Sequence, residues 1–316
     1  MSQRRMAAQL PAYRRRPSRL RRAILIVVAL GVVGALLSAG AVATNAFDVG
    51  DRFENLVGRI ERFIWPPPAD RPTRPTVQVT APPSQPTPGP TLEPGDSPTP
   101  SPTLPVRAPV DVRILDDPEA AFAHELDKDW CAPAGVQMVL AALGLGDTTP
   151  AFQTEIASRV REWETWEDSH NYNWGPAAMA AALEAYGAPG YEIHAFDFRG
   201  SALHAAAVAI ERTDSPAILL AWRGAHTWVM TGYRADADPK VFPDAVIEGT
   251  YILDPWYPWI SSIWGPSDPP GTFQDLAEMK RNFLPWERPE GKYPERDGKW
   301  IVLVPTLPAP NAPAAP

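Results

Sequence analysis

The chain of 316 residues has a single cysteine and only five histidines, and this shortage excludes several classes of protein. One thiol cannot form an intramolecular disulfide, so no disulfide framework holds the fold together. The histidines form no HxxxH or HExxH pattern and no Cys/His cluster, so we predict no metal site and no cofactor. The net charge of −8 argues against nucleic acid as a partner.

The charge is unevenly distributed along the chain. Residues 1–22 contain eight arginines and no acidic residue, which leaves 21 of the 29 basic residues against 37 acidic ones in the remainder. An apolar run follows, with AILIVVALGVVGALLSAGAVA at 23–43. About 20 apolar residues span a bilayer as a helix, and arginines keep their flank in the cytoplasm. A secretory signal peptide cleaved after AVA is the alternative.

We therefore predict a single-pass protein of the cell membrane, with a basic cytoplasmic segment at 1–22, a transmembrane helix at 23–46 and the remainder outside the cytoplasm. Residues 47–65 have one apolar helical face and predict an amphipathic stalk, or else a helix packed on the main domain. Residues 66–109 contain 16 prolines in 44 positions and predict a disordered linker.

The tail at 305–316 is also predicted to be disordered, which leaves 110–304 as one globular domain. Helices are predicted before strands in this domain, which favours an α+β fold with an antiparallel sheet. The predicted helices are 131–143, 151–162, 175–187 and 201–212, and the predicted strands are 216–222, 226–233, 249–254 and 299–304.

The cysteine lies in the segment DKDWCAPAGVQMVL, residues 127–140. Asp129 is a good helix N-cap residue and Pro133 suits a first helical turn, so we predict that Cys131 lies at a helix N-terminus. Peptide dipoles and free N–H groups there favour a thiolate and can stabilise an oxyanion beside the sulfur. The alternative is a small buried apolar residue, as most free cysteines are. An idle thiol is a liability in an oxidising compartment, which favours a function.

A nucleophilic thiolate needs a partner that accepts and returns a proton, usually histidine. His226 begins the predicted strand HTWVMTGY directly after the turn residues RGA, where its ring can face a cleft. The imidazole of such a pair is usually oriented by an Asp or Asn. Asp254 ends the predicted strand in YILDPW and is the candidate, although an Asp-Pro pair also commonly starts a turn.

Four segments together resemble a known family, the papain-like cysteine peptidases related to the bacteriocin-processing, double-glycine-leader peptidases, and within it the standalone extracytoplasmic members. The segments are DWCAPAGVQMVL (129–140), NWGPAAMAAALEAYGAPGYEI (173–193), GAHTWVMTGY (224–233) and GTYILDP (249–255). The resemblance covers most of 110–304. It implies a papain-like fold, with the nucleophile on a helix and the His and Asp on a sheet across a cleft. By position, Cys131 would be the nucleophile, His226 the general base and acid, and Asp254 the residue that orients the imidazole.

The chain departs from this family at two positions near the thiol. The family usually has Gly after the cysteine, where this chain has Ala132. The family also has a Gln several residues before the cysteine as an oxyanion donor, whereas this chain reads HELDKDW, with Glu125 six residues before Cys131. An ionised Glu would repel an oxyanion, so His124 or the backbone alone would then supply the donor. The candidate oxyanion residues are His124 and, by its position, Glu125. Weak or absent turnover is the further alternative.

Aromatic residues are concentrated near these segments, since ten of the twelve tryptophans lie between positions 130 and 286. Tryptophan offers a large contact area and one hydrogen-bond donor, so an aromatic-lined groove for a peptide or glycan is one interpretation. Packing in the core and in loops is the other. The candidate groove residues are Trp130, His170, Trp174 and Trp256.

The function predicted from these observations is a membrane-anchored, extracytoplasmic cysteine peptidase-like hydrolase that acts on a peptide or amide bond. Its partners would be the membrane, through the N-terminal helix, and a peptide or cell-wall substrate. Two alternatives stay open. One is a catalytically inactive papain-like domain that binds at the cell surface, and the other is a peptidoglycan-directed amidase.

Overall fold

The segments predicted as cytoplasmic (1–22), transmembrane (23–46) and stalk (47–65) lie outside the part of the chain that the structure describes. Among the described helices, none has both the length and the apolar composition needed to cross a bilayer. The computed structural model describes residues 74–80, 105–164, 168, 174–287 and 293–309.

Several helices in the described part begin at side chains that cap free N–H groups. Asp117, Thr149 and Asp275 each accept a hydrogen bond from a first-turn N–H, which satisfies donors that have no partner within the helix. The described helices are α1 (Pro118–Ala121), α2 (Cys131–Ala142), α3 (Pro150–Ser158), α4 (Val160–Trp163), α5 (Pro176–Ala185), α6 (Arg199–Thr213) and α7 (Leu276–Asn282).

The described strands form one large sheet and one small hairpin. They are β1 (Thr76–Val79), β2 (Val110–Arg113), β3 (Tyr191–Phe196), β4 (Ala217–Ala221), β5 (His226–Ala235), β6 (Ile247–Leu253), β7 (Ile260–Ser261), β8 (Gly265–Pro266), β9 (Thr272–Asp275) and β10 (Trp300–Pro305). The large sheet has the order β1-β3-β10-β4-β5-β6-β9, and β2 also pairs with β5. Its pairs are antiparallel except that β1 runs parallel to β3. The hairpin is β7 with β8.

Both faces of the large sheet are covered by helices. Alternation along β10 shows this, because Ile301 and Leu303 belong to one apolar cluster and Val302 and Val304 to the other. The first cluster includes residues of α2, α3 and α5, and the second includes residues of α6 and α7. The domain therefore has three layers, with the sheet between two groups of helices.

The predicted mixed α+β class is confirmed, and each helix and strand predicted within residues 110–304 overlaps an observed one. Three details are wrong. The predicted helix at 151–162 is two helices, α3 and α4, which meet at Arg159. Strand β3 lies between α5 and α6, so the helices do not all precede the strands. The sheet also contains one parallel pair.

Some residues of the predicted linker and of the predicted tail are part of the folded domain. Within 66–109, the proline-free sequence TVQV forms β1, and Arg296 Nε donates to Thr76 Oγ1 at 3.1 Å. Valine favours strands, and the proline content of the whole segment concealed this local stretch. At the other end, Thr306 N–H donates to Gly190 O at 2.9 Å and Ala309 N–H to Thr213 O at 2.7 Å. The start of the predicted tail is therefore bound to the domain.

The close approach of α2 to β5 positions the candidate nucleophile. Every residue from Ala132 to Leu140 is buried, so α2 is a central helix of its layer. One turn after Cys131, Gly135 faces Thr227, and a Cβ atom at Gly135 would lie 2.4 Å from Thr227 Cγ2. The absence of a side chain at Gly135 thus allows the helix to pack this close to the strand that begins with His226.

The variant Gly135→Ala tests this contact. We expect it to lower the free energy of unfolding by about 1–3 kcal/mol, because overpacking forces α2 and β5 apart. Urea denaturation monitored by circular dichroism measures the loss. The double variant Gly135→Ala/Thr227→Ser removes the clashing methyl group and should recover most of the stability. If the double variant were as unstable as the single one, the contact would not limit the packing.

Candidate active site

Cys131 is the first residue of α2, as predicted, but the predicted cap is wrong. The N-cap residue is Trp130, not Asp129, and no side chain caps the helix. The cause is a turn in which Trp130 N–H donates to Asp127 O at 2.9 Å, which carries the chain one residue further before the helix begins. An uncapped first turn leaves its N–H groups available to an anion. The thiol is partly exposed, and its Sγ lies 3.9 Å from Ala225 O.

His226 lies between the thiol and a carboxylate. Its Nε2 is 2.7 Å from Asp254 Oδ1, so Nδ1 is the ring nitrogen that remains for the thiol. A ring nitrogen of His226, Cys131 Sγ and a carboxylate oxygen of Glu125 all lie within 4.8 Å of one another. The structure therefore brings together the three predicted residues, Cys131, His226 and Asp254, together with Glu125.

Sheet register explains why His226 and Asp254 meet although 28 positions separate them. Val229 of β5 pairs with Leu253 of β6, so the start of β5 lies beside the end of β6, where Asp254 follows. Asp254 Oδ1 also accepts the N–H of Trp256 at 2.9 Å. Asp254 thus starts a turn and also binds the imidazole. The two interpretations from the sequence, an Asp-Pro turn and a partner of His226, both describe the structure.

The surroundings of His226 favour its protonated form. Burial disfavours the imidazolium, since the residue is only 2% exposed, but Asp254 and Cys131 outweigh burial and raise the pKa of His226 to about 10. The cause is the attraction of the Asp254 carboxylate, its hydrogen bond to the ring, and a further interaction with the sulfur. An imidazolium beside a thiol stabilises the thiolate, which is the nucleophilic form.

Glu125 is buried at this site without a hydrogen-bond partner. The residue is 0% exposed, and neither carboxylate oxygen has a partner among the described residues. Burial raises the pKa of Glu125 to about 8. The carboxyl group is therefore mostly neutral at pH 7, and the expected repulsion between an ionised Glu and an oxyanion does not arise at that pH.

Gln153 fixes the backbone on both sides of Glu125. Its Nε2 donates to His124 O at 2.9 Å, and its Oε1 accepts the N–H of Leu126 at 2.7 Å. Its Nε2 also donates to Oε1 of the buried Gln137 on α2, at 2.9 Å. The Glu125 N–H itself donates to Pro255 O at 3.0 Å. Gln153 was not predicted from the sequence, and the signal for it was a glutamine on the core-facing side of a predicted helix.

His124, the other oxyanion candidate, binds the loop after Asp254. Its Nδ1 lies 2.7 Å from Tyr257 O and 3.1 Å from Pro255 O, and because both partners are acceptors, Nδ1 carries the hydrogen. Its ring meets the edge of Trp259 at a centroid distance of 4.2 Å. His124 therefore binds and positions this loop, and its Nδ1 hydrogen is already used. Of the two oxyanion candidates, the geometry favours Glu125.

A tryptophan that the sequence analysis did not select covers His226. Trp222 stacks on the imidazole with ring centroids 3.9 Å apart and planes 17° apart, and its Nε1 donates to Asn282 Oδ1 at 3.1 Å. Trp222 and Arg223 both have positive φ, 51° and 62°. Non-glycine residues in this region carry a conformational cost and commonly occur at functional sites. The turn before β5 thus holds Trp222 over the imidazole.

The predicted groove residues have different positions. Trp256 lies near the site, with its ring centroid 6.3 Å from that of His226 and 5.9 Å from that of Trp222. Trp130 is the half-buried N-cap residue of α2. Trp174 packs against Trp163 in the helical layer, 5.5 Å between centroids, and the described contacts do not bring it to the site. His170 lies outside the described residues.

Comparison with known proteins adds nothing to this geometry: no family model, curated protein or solved structure matches the chain. The resemblance to papain-like peptidases stays a prediction. Glu125, Cys131 and His226 are also the group of potential metal-ligand residues that the described part brings together. We assign no cation to this group, and the absence of a metal site stays a prediction. The absence of a cofactor also stays a prediction.

The variant Glu125→Gln should raise stability in a pH-dependent way. Glu125 ionises near pH 8 in the folded protein and near its ordinary 4.5 when unfolded, so its ionisation favours unfolding increasingly as pH rises through this window. Glutamine removes that effect. We expect the Tm of the variant, relative to the wild type, to be several degrees higher at pH 7.5 than at pH 4, since about 2–4 °C corresponds to each kcal/mol. Equal differences at both pH values would contradict the burial of an ionisable group.

Proposed function

We propose that the described domain is a papain-like cysteine hydrolase that cleaves a peptide or amide bond through Cys131, His226 and Asp254. The observation that carries the proposal is the chain of contacts from the Asp254 carboxylate, through the buried imidazole, to a half-exposed thiol at an uncapped helix N-terminus. The layered arrangement supports it, because the nucleophile is on a helix, His226 begins strand β5 and Asp254 directly follows strand β6.

The reaction would proceed by acyl transfer. The Cys131 thiolate attacks the carbonyl carbon, and the oxyanion that forms lies near the uncapped N–H groups of α2. His226 then gives its proton to the departing amine, leaving a thioester on Cys131. Water attacks the thioester, His226 accepts its proton, and the acid product leaves with the thiolate restored.

An apolar rim near the site supports a peptide with an apolar side chain as substrate. Trp256 and Trp259 have ring centroids 5.0 Å apart, and beyond them Ile260 and Ile263 are 74% and 79% exposed. Exposed isoleucines in the segment that follows Asp254 favour contact with a partner. The proposal includes the membrane anchor and the extracytoplasmic position predicted from the sequence, which rest on the arginines of residues 1–22 and on the apolar residues 23–46.

One alternative has an observation in its favour. The replacement of the family's Gln by Glu125 removes the usual oxyanion donor, which is what a domain that has become a binding module would show. Such a domain would retain the contacts of Cys131 and His226 but would not turn over a substrate.

Alkylation of the full-length chain by iodoacetamide tests the triad, because Cys131 is the single thiol. At pH 6 we expect the folded wild type to react at least about tenfold faster than the same chain in urea, since an imidazolium–thiolate pair is nucleophilic where a free thiol is protonated. His226→Ala should bring the rate down to that of the urea-unfolded chain, and Asp254→Asn should lower it in part. Intact mass spectrometry measures the rates.

Folded His226→Ala is the matched control, with circular dichroism verifying its structure. A wild-type rate equal to that of the unfolded chain, and unchanged in His226→Ala, would refute the triad. Cleavage of a defined peptide library by the wild type, and not by Cys131→Ala, separates the hydrolase from the binding domain.

A further inference from the structure

Glu125 is the group at this site whose chemistry the triad leaves unused. It is fully buried, and an oxygen of its carboxyl group lies within 4.8 Å of both Cys131 Sγ and a ring nitrogen of His226. Neither oxygen has a hydrogen-bond partner among the described residues. A buried carboxylate without donors is costly, and the group avoids this cost by keeping its proton.

The charged groups around Glu125 are mostly negative. His226, at the start of β5, favours the ionised carboxylate. Asp254 after β6, and Asp127 and Asp129 in the turn before α2, disfavour it. The Cys131 thiolate proposed above would add a further negative charge from the start of α2. Burial is the largest cause that favours retention of the proton, and the acidic neighbours act in the same direction.

We propose that Glu125 is a neutral carboxylic acid whose O–H donates a hydrogen bond to the oxyanion formed when Cys131 attacks a carbonyl group. This inference rests on the proposed hydrolase function and extends it. A neutral acid has the donor that an ionised Glu lacks, so it can replace the amide of the family's Gln. Gln153 and Pro255 O hold the backbone on both sides of the carboxyl group, which fixes the donor before substrate binds.

The acylation step is balanced without a further reactant. The Cys131 sulfur forms a bond to the carbonyl carbon, and the π electrons of the carbonyl move to its oxygen. That oxygen accepts hydrogen bonds from the Glu125 O–H and from the Cys131 N–H, and Glu125 keeps its proton throughout. The oxyanion then reforms the carbonyl as the bond to the leaving amine breaks; the amine takes its proton from His226, and the thioester remains on Cys131.

A neutral donor makes acylation sensitive to alkaline pH in a defined window. Glu125 loses its proton as pH rises through about 8, whereas His226 keeps its proton up to about pH 10. Acylation should therefore fall near pH 8, before the imidazolium–thiolate pair is lost. In Glu125→Gln the amide donor does not ionise, so the fall should move towards pH 10.

Two probes separate the oxyanion donor from the nucleophile. Acetylation by p-nitrophenyl acetate passes through an oxyanion, whereas alkylation by iodoacetamide needs only the thiolate. The full-length wild type, Glu125→Gln and Glu125→Ala are assayed from pH 6 to pH 10 with EDTA present to remove adventitious cations. Release of p-nitrophenol is followed at its isosbestic wavelength, and the rate for Cys131→Ala is subtracted as background.

We expect Glu125→Ala to acetylate about 100-fold more slowly than the wild type at pH 7. Its alkylation rate should change by no more than about threefold, since alkylation forms no oxyanion. Glu125→Gln should acetylate within about tenfold of the wild type at pH 7 and should lack the fall near pH 8. A fall that persists in Glu125→Gln, or loss of acetylation in that variant with alkylation intact, would overturn the inference.

Failure of the inference can be told apart from failure of the proposed function. If the triad were inactive, wild-type acetylation would equal that of Cys131→Ala and alkylation would be slow. If only the role of Glu125 were wrong, alkylation would be fast, and the acetylation rate would be the same in the wild type and in the Glu125 variants. Should Glu125→Ala not fold, the pH profile of Glu125→Gln alone decides.

Discussion

The close packing of helix α2 on strand β5 is the constraint on which the candidate site depends. The candidate nucleophile belongs to the helix and the imidazole to the strand, so their separation depends on how closely the helix packs on the strand beside them. At that level Gly135 faces Thr227 with no room for a Cβ atom. Protein interiors are close-packed and do not deform continuously, so the contact fixes the helix position. The distance between sulfur and imidazole is thus set by core packing as well as by their own attraction.

Two carboxyl groups lie beside the same imidazole in opposite environments. Asp254 accepts hydrogen bonds from the ring of His226 and from the N–H of Trp256. Glu125 is fully buried and accepts none from the described residues. One environment offers a carboxyl group two donors and the other offers none, and such pairs commonly divide roles at catalytic sites. The roles proposed here, orienting the imidazole and donating to an oxyanion, fit those two environments.

The sequence predicted what local patterns encode. Cys131 at a helix start follows from Pro133 and the apolar face behind it, and the choice of His226 and Asp254 follows from their positions at the start and the end of predicted strands. It did not predict features that tertiary contacts create. The stacking of Trp222 on His226 requires a left-handed turn, and the neutral state of Glu125 requires burial by segments far apart in the chain. Strand β1 was missed because the prolines around TVQV dominate the composition. The cap was predicted at Asp129 because capping propensity contains no information on the turn from Asp127 to Trp130.

The cover over His226 determines where its proton can go. Trp222 lies on one face of the ring, Trp256 meets its edge at 90°, and Nε2 is bound to Asp254. The imidazole is 2% exposed, so the described residues around it restrict proton exchange with bulk water through these sides. Nδ1 then faces the thiol, which is itself partly exposed. A low-dielectric cover also strengthens the attraction between imidazolium, carboxylate and sulfur. In the proposed reaction, this aromatic shell would direct proton transfer towards Cys131.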